Sequence, residues 1–211
     1  MVKSINLYKS FNIKPKHKSS IILIGNFDGL HLGHQKLFSL ANNYKKKYSL
    51  NLGVLNFEPM PKMFFNKNIK NFRISSQRQK INLLKKFNVN FVITKKFNKE
   101  FSKTKSIDFI EKMLKKKLNP KFIFVSNNFR FGNKREGDVK QLIRFEKKYN
   151  YKIIKPKPLL IQKKIVSSSL IRTYLNRGKL YQANKLLGRK WSIEGKVQKG
   201  KQLGKKIGFP T

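Results

Sequence analysis

Short apolar runs alternate with helical patterns along most of the 211-residue chain. Each run is nearly continuous in apolar residues, which predicts a strand that is buried on both faces of a sheet. Five such runs lie at residues 21–24, 52–57, 89–94, 122–125 and 151–154. Between them, apolar residues recur at the spacing of amphipathic helices. The alternation predicts an α/β fold whose parallel sheet of about five strands is doubly wound, with helices on both faces.

Residues that favour helix ends stand at the limits of the helical patterns. Ser75 or Ser76 precedes one of them, and Ser106 and Asp138 precede two others. Hydroxyl and carboxylate side chains commonly cap helix N-termini, so these residues support the predicted helices.

The chain changes character after Arg189. Residues 191–198 resemble a strand, and glycines recur beyond them at intervals of four or five residues. A glycine-punctuated segment with no following core predicts the start of a second domain without its body. We therefore predict a first domain at residues 1–188 and an incomplete second domain at residues 189–211.

The net charge of +41 would by itself indicate a binder of nucleic acid or acidic membranes. Lysine, however, supplies 42 of the 50 basic residues, and alanine occurs only twice. Lysine has A/T-rich codons and alanine has G/C-rich codons, so a genome rich in A and T would produce this composition without selection for polyanion binding. Arginine, which is best suited to bidentate phosphate or guanine contacts, is scarce. We expect no specific nucleic-acid partner, although the positive field would attract small anionic substrates.

The sequence lacks cysteine and long apolar segments, which argues against several other classes of protein. The chain has no cysteine, which excludes disulfides and thiolate metal sites. No apolar run approaches the roughly 18 residues that span a bilayer, and the N-terminus has no continuous apolar segment of a signal peptide. We expect a cytoplasmic protein without a membrane partner.

Two histidines follow the first predicted strand, where a helix is expected to begin. His31 and His34 are three residues apart, a spacing that brings both imidazoles to one point at a helix start. The N–H groups and dipole of a first helical turn favour an anion there. Gly29 and Gly33 leave room for a phosphate to approach. The segment predicts a phosphate site at the carboxyl edge of the sheet, where ligands of such sheets bind.

Two other interpretations of the histidine pair remain open. A metal site would need a third ligand, and only Asp28 stands nearby. An ordinary glycine-containing turn would need no ligand. The phosphate interpretation is favoured because of the residues that flank the pair.

Three serines and an arginine form a second candidate site. Ser167, Ser168 and Ser169 stand at a predicted helix N-terminus, and Arg172 follows one turn later. Hydroxyl, amide and guanidinium donors together suit a polyphosphate. Taken alone, such a segment is more often a capped helix with a surface arginine.

Aromatic and polar residues are interleaved in a third segment, at residues 126–132. Asn128, Phe129 and Arg130 follow a predicted strand and suit a planar ligand that needs stacking and hydrogen bonds. The alternative is a turn whose phenylalanines belong to the core.

Five segments together resemble the bacterial FAD synthetase family, the FMN adenylyltransferase part of bifunctional riboflavin kinase/FAD synthetases. Residues 25–34 look like its GxFDGxHxGH signature, and residues 166–172 are similar to the ISSTxxR motif of the nucleotidyltransferase superfamily. Residues 126–132 resemble its Gly-x-(Asn/Asp)-Phe-x-Phe-Gly element, and residues 56–61 resemble its Phe-x-Pro-His-Pro element. Residues 195–211 look like the opening of a riboflavin kinase domain.

The resemblance implies both a fold and a reaction. The fold would be a Rossmann-like, doubly wound parallel sheet of the nucleotidyltransferase superfamily, followed by the start of a β-barrel kinase domain. ATP and FMN would react to give FAD and pyrophosphate, with Mg²⁺ carried by the ATP phosphates. Because the kinase-like part ends before that family's catalytic acid, we expect no riboflavin kinase activity.

The resemblance also implies roles for individual residues. The catalytic residues would be His31, His34 and Arg172. The ATP site would comprise Gly25, Asn26, Phe27, Asp28, Gly29, Gly33, Ser167, Ser168 and Ser169. The flavin site would comprise Phe57, Pro59, Asn128, Phe129 and Arg130. Met60 stands where the family usually has a histidine, so any role of that ring is absent here.

Three alternatives to FAD synthesis remain open. Another nucleotidyltransferase of the same superfamily, acting on nicotinamide mononucleotide or phosphopantetheine, would share the histidine and serine motifs. A basic nucleic-acid-binding protein would bind polyanions with a steep salt dependence and form no product. A catalytically idle fragment would result if the missing kinase body destabilised the remainder.

Overall fold

The computed structural model describes residues 4–69, 72–196, 198, 200 and 203–209. Its main feature is a six-stranded parallel sheet, accompanied by two short antiparallel hairpins. The strands are β1 Asn6–Tyr8, β2 Ile21–Ile24, β3 Leu52–Glu58, β4 Phe91–Lys96, β5 Phe122–Phe124, β6 Arg130–Phe131, β7 Gly137–Asp138, β8 Lys152–Ile154, β9 Leu160–Ile161 and β10 Lys164–Ile165.

Helices connect the strands and follow the last of them. They are α1 Leu32–Tyr48, α2 Pro61–Phe65, α3 Gln77–Lys86, α4 Lys99–Ser102, α5 Ser106–Asp108, α6 Val139–Arg144, α7 Glu146–Tyr149, α8 Ser168–Asn176, α9 Leu180–Leu187 and α10 Leu203–Lys206. A π-helix, Phe109–Leu118, continues α5, and 3₁₀ turns cover Pro15–His17, Asp28–Leu30 and Asn133–Arg135. No helix among the described residues is long and apolar enough to cross a membrane.

The strand order across the main sheet is β1-β4-β3-β2-β5-β8, and all neighbouring strands are parallel. The predicted α/β class with a parallel sheet is confirmed. The sheet has one strand more than the five that were predicted, because β1 pairs with β4 at the edge. This strand has only three residues, and its apolar residue Leu7 is 61% exposed, so it gives no apolar run.

Alternate residues of the central strand β2 point to opposite faces of the sheet, and each face has its own core. Ile22 and Ile24 belong to the core that the π-helix and α6 cover. Ile21 and Leu23 belong to the core that α1 and α3 cover. Burial on both faces explains why the strand is a continuous apolar run.

Side-chain caps fix the starts of two predicted helices. Ser76 Oγ accepts a hydrogen bond from the Gln79 N–H at 3.1 Å, and Gln79 Oε1 accepts one from the Ser76 N–H at 2.8 Å. Asp138 caps α6 by accepting a hydrogen bond from the Gln141 N–H at 2.8 Å. Ser106 is the first residue of α5 and makes no capping bond of this kind.

The carboxyl ends of β2 and β5 lie side by side where the chain connections diverge. From β2 the chain runs through α1 to β3 on one side, whereas β5 pairs on the other side. Ligands of doubly wound sheets bind at such a switch point. Residues 25–34 and 126–132 both leave the sheet at this edge.

The strand predicted at residues 191–198 is absent from residues 191–196 and 198, which have no regular structure. A strand needs a second backbone beside it for hydrogen bonds, and this segment packs onto helices instead. The Trp191 indole contacts the core that α8 and α9 share, and its N–H donates to the carbonyl of Ile74 at 2.8 Å. The prediction was wrong because a local pattern does not specify a pairing partner.

Candidate active site

The turn between β2 and α1 has a strained backbone. Phe27, Gly29 and Leu30 have positive φ angles of 48°, 75° and 36°. Only glycine adopts this region freely, so the two larger residues cost free energy unless their surroundings hold them. His31 follows in an extended conformation and is the N-cap of α1. The turn thereby brings the histidines to the start of the helix.

Side chains from α8, α1 and the segment after α9 hold this turn by its carbonyl oxygens. Ser168 Oγ donates to the carbonyl of Asp28 at 2.9 Å. Arg189 Nη2 donates to the carbonyl of residue 29 at 2.7 Å, and Gln35 Nε2 donates to that of residue 30 at 3.0 Å. Gln35 and Arg189 were not among the predicted site residues, because a side chain that binds a distant carbonyl leaves no motif.

The two imidazole rings are stacked, with ring centres 3.7 Å apart and an angle of 20° between their planes. His31 Nδ1 accepts a hydrogen bond from the backbone N–H of His34 at 3.4 Å, so the neutral ring carries its proton on Nε2. Burial lowers the pKa of His31 to about 4, against the opposing effect of Asp28. Burial and the adjacent His31 ring hold the pKa of His34 well below its ordinary value. Both rings are therefore neutral at pH 7.

Asp28 is buried and connects this turn to two other segments. Its carboxylate accepts hydrogen bonds from the backbone N–H groups of Ile74 at 3.1 Å and Ser75 at 3.2 Å. Arg172 Nη2 donates to the same carboxylate at 2.7 Å, and Arg172 Nε donates to the carbonyl of Phe72 at 2.6 Å. These two bonds fix the guanidinium and leave three of its five N–H groups for a ligand. The Asp28 carboxylate, in contrast, is engaged by the protein.

The three predicted serines have different environments. Ser167 caps α8 by accepting a hydrogen bond from the Leu170 N–H at 3.2 Å. Ser168 binds the turn as described, and Ser169 is exposed in the first turn of α8. Two of the three hydroxyls therefore have structural partners.

The starts of α1 and α8 are adjacent. A side chain added at Gly33 would meet the His31 ring at 3.2 Å and the backbone carbonyl of Val166 at 3.3 Å. The close approach explains why glycine occupies this position. Because both helix N-termini favour negative charge, their proximity makes this edge suitable for a polyphosphate.

Two further cations, which the sequence analysis did not single out, interact with Asp28. Arg73 is partly buried, and Lys80 on α3 is 1% exposed. Burial lowers the pKa of Lys80 to about 8, although Asp28 raises it. Arg73 is also ion-paired with Glu58, and Arg172 with Asp28, so these two carboxylates offset part of the positive charge that the three side chains bring to the turn.

We expect Lys80→Met to stabilise the protein at pH 7 by about 2–3 kcal/mol, because a buried ammonium with a lowered pKa destabilises the folded state. Below pH 8 the folded and unfolded chains both hold the proton, so this cost is constant. Between pH 8 and 10.5 only the unfolded chain holds it, and the cost falls as the pH rises. Urea unfolding across this pH range measures the difference in free energy of unfolding.

The matched control is Lys86→Met, which changes an exposed lysine on the same helix. Its expected effect on the free energy of unfolding is within about 0.5 kcal/mol. A Lys80→Met protein less stable than the wild type at pH 7 would contradict the destabilising role of Lys80.

An aromatic cavity of about 660 Å³ opens beside the turn. It is lined by four of the five residues that were predicted to bind flavin, namely Phe57, Asn128, Phe129 and Arg130. The fifth, Pro59, does not line it. Gly25 and Asn26 also line the cavity, which connects it to the histidine segment. Further aromatic and basic side chains in its wall include Phe97, Phe101, Lys62, Lys134 and Arg135.

Several buried polar atoms near this edge have no hydrogen-bond partner within the described part of the chain. They are His34 Nδ1, Asn26 Oδ1 and both polar side-chain atoms of Asn56. Asn56 lies near the end of β3 and is fully buried. Unpaired buried polar atoms are costly, so they mark positions where a ligand or water can bind.

The metal interpretation of the histidine pair lacks ligands in the region that the structure describes. No three His, Asp or Glu side chains of these residues come together in an arrangement that could hold a metal ion. Asp28, the acidic neighbour, is bound to Arg172. The metal interpretation therefore has no third ligand for the pair among the described residues.

Comparisons with known proteins point to one family. Residues 13–170 match the FAD synthetase model, and residues 187–211 match the riboflavin kinase model. The bifunctional riboflavin kinase/FMN adenylyltransferase of Buchnera aphidicola is 41% identical over 200 residues, which cover 95% of this chain and 64% of that protein. The FAD synthetase of Listeria monocytogenes is 30% identical over 189 residues, which cover 89% of this chain and 76% of that protein.

A solved structure has the same fold. The crystal structure of a protein from Streptococcus pneumoniae, titled a macrolide-efflux protein, aligns with a TM-score of 0.76 and 25% identity. The alignment covers 89% of this chain and 72% of that one.

This chain spans less than two thirds of the length of the Buchnera protein. The FAD synthetase model nevertheless covers most of the residues of this chain. The chain belongs to the FAD synthetase family.

Proposed function

We propose that the chain transfers the adenylyl group of ATP to FMN, giving FAD and pyrophosphate. The observation that carries the proposal is the neutral, stacked histidine pair at the start of α1, which lies next to the start of α8 and beside an aromatic, basic cavity. The names of the Buchnera and Listeria relatives support the same reaction.

In this mechanism an FMN phosphate oxygen attacks the α-phosphorus of ATP, and pyrophosphate leaves in line. The new phosphoanhydride bond forms as the bond to the bridging oxygen breaks, so no protein nucleophile is needed. His31 and His34 donate hydrogen bonds to the α-phosphate and the leaving oxygen, where negative charge develops. Their low pKa values favour donation by neutral rings at pH 7.

Arg172 and the start of α8 hold the β- and γ-phosphates. Asp28 and Phe72 fix the guanidinium, and its remaining N–H groups bind phosphate oxygens. Ser167, at the N-cap, and the backbone N–H groups of α8 add further donors. The Mg²⁺ that ATP carries is part of the substrate and neutralises charge on the phosphates.

The cavity holds the flavin in this proposal. Phe57 and Phe129 offer aromatic faces for a planar ring, while Asn128 and Arg130 offer polar groups for hydrogen bonds. The aromatic lining favours FMN over phosphopantetheine, which has no planar ring, and the match to the FAD synthetase model supports FMN over nicotinamide mononucleotide.

The direct test incubates the chain with FMN, ATP and Mg²⁺ and separates the flavins by chromatography. We expect FAD and pyrophosphate in equal amounts. Riboflavin with ATP is assayed separately, because residues 187–211 match the riboflavin kinase model and phosphorylation must be distinguished from adenylyl transfer.

Two other outcomes would contradict the proposal. Product from nicotinamide mononucleotide or phosphopantetheine, but not from FMN, would identify a different nucleotidyltransferase. Binding of RNA or DNA with a steep salt dependence, and no product from any acceptor, would favour the basic nucleic-acid-binding alternative.

A further inference from the structure

The segment that follows α9 reaches back to the strained turn. Arg189 Nη2 donates to the carbonyl of Gly29 at 2.7 Å. Its Nη1 donates to the carbonyls of Leu187 at 3.3 Å and Leu30 at 3.5 Å. The guanidinium fork therefore joins the end of α9 to the two residues that precede His31.

Neighbouring contacts fix the position of this segment. The backbone N–H of Trp191 donates to Asn184 Oδ1 at 2.6 Å, and the indole N–H donates to the carbonyl of Ile74 at 2.8 Å. The N–H of Ile74 in turn donates to the Asp28 carboxylate at 3.1 Å. The segment thus supports the turn in two ways. Arg189 binds backbone carbonyls of the turn directly, and Trp191 binds Ile74, whose N–H binds the Asp28 carboxylate.

We propose that Arg189 is a positioning residue for adenylyl transfer, which holds the turn so that both imidazoles face the triphosphate. This inference rests on the proposed function. Leu30 has a positive φ of 36° and needs outside support to keep it. A charged donor binds a carbonyl more strongly than a neutral one, so an arginine is suited to this task. Arg189 acts through the position of His31 and does not touch the reacting atoms.

The charge of Arg189 also acts on His31, whose pKa is lowered mainly by burial. Asp28 raises that pKa, whereas Arg172 and Arg189 lower it, and the His34 ring stacks on the His31 ring. Removing Arg189 removes one of the two cations. We therefore expect the pKa of His31 to rise in its absence.

The test compares Arg189→Ala and Arg189→Lys with Lys190→Ala, which removes an equal charge from an exposed neighbour. We expect Arg189→Ala to lower kcat for FAD formation by about 10–100-fold and to change the KM for ATP less than about threefold, because misplaced groups slow the step more than they weaken binding. Arg189→Lys should recover part of the rate, because it keeps a charged donor at this position. The recovery should be incomplete, because an ammonium lacks the planar fork that reaches several carbonyls. Lys190→Ala should keep the wild-type kcat.

An NMR titration of the His31 ring without substrate gives a second readout. A purely structural role would lower Tm and the folded fraction but would leave the kcat per folded molecule unchanged, whereas the titration reports the loss of the Arg189 charge from the surroundings of His31. If the wild type makes FAD and Arg189→Ala has the same kcat per folded molecule, the inference is overturned. If the wild type makes no FAD, the proposed function fails instead. Should Arg189→Ala not fold, Arg189→Lys is judged by kcat per folded molecule alone, because it keeps the charge: a lowered kcat supports the inference and an unchanged one overturns it.

Discussion

Replacing His34 with alanine is expected to lower kcat for FAD formation by about 10²–10³-fold while leaving the fold intact. Removing one donor that stabilises developing negative charge costs roughly 3–4 kcal/mol in the transition state. His34 is half-buried, and its ring contacts those of His31 and Phe27 at the turn, so the substitution trims contacts there and leaves the rest of both cores in place. Steady-state kinetics with FMN and ATP measure the effect, and circular dichroism checks the fold.

The chain offers a matched control in its third histidine, His17. This residue lies at the amino edge of the sheet, hydrogen-bonded to the Tyr8 hydroxyl at 2.8 Å and stacked on Phe91 with ring centres 4.5 Å apart. We expect His17→Asn to lose stability but to keep the wild-type kcat per folded molecule. A His34→Ala protein that retains full activity would exclude His34 from the mechanism.

Replacing Asp28 with alanine is expected to destabilise the protein by about 3–5 kcal/mol and to remove most of the activity. The change leaves the charged Arg172 without its carboxylate partner in a largely buried position. It also leaves the N–H groups of Ile74 and Ser75 unpaired. Urea unfolding measures the stability, and the FAD assay measures the activity of the folded fraction.

An exposed ion pair provides the comparison for this variant. Asp108 contacts Lys112 at 2.9 Å on the surface of the helix that begins at α5. Asp108→Ala should cost less than about 1 kcal/mol, because solvent screens exposed pairs. Equal losses of stability in the two variants would refute the anchoring role of Asp28.

Most of the sheet could be predicted because its strands are covered on both faces. The residues of β2 are all buried, so the strand is a continuous apolar run in the sequence. The edge strand β1 has no such pattern, and its Leu7 is mostly exposed. The segment after Arg189 has a strand-like pattern, but a strand also needs a neighbouring backbone, which the local sequence does not encode.

The candidate site could be predicted where its residues are close together in the sequence. His31 and His34 share one helical turn, so their spacing alone predicts that the rings meet. The bond from Ser168 to Asp28 joins residues 140 positions apart, and that from Arg189 to the turn spans 160 positions. Such contacts depend on how α8 and the following segment pack. For this reason the motif could not reveal the bond from Ser168 to the turn, and the assignment of Ser168 to the ATP site stays a prediction.

The central claim is that the two histidines contact the triphosphate where its bond is broken. A crystal structure of the protein with Mg²⁺ and an ATP analogue that cannot be cleaved between the α- and β-phosphates tests it most directly. We predict ring nitrogens of His31 and His34 within hydrogen-bonding distance of the α-phosphate and the bridging atom, with Arg172 on the outer phosphates. A bound nucleotide whose phosphates lie away from both rings would contradict the account.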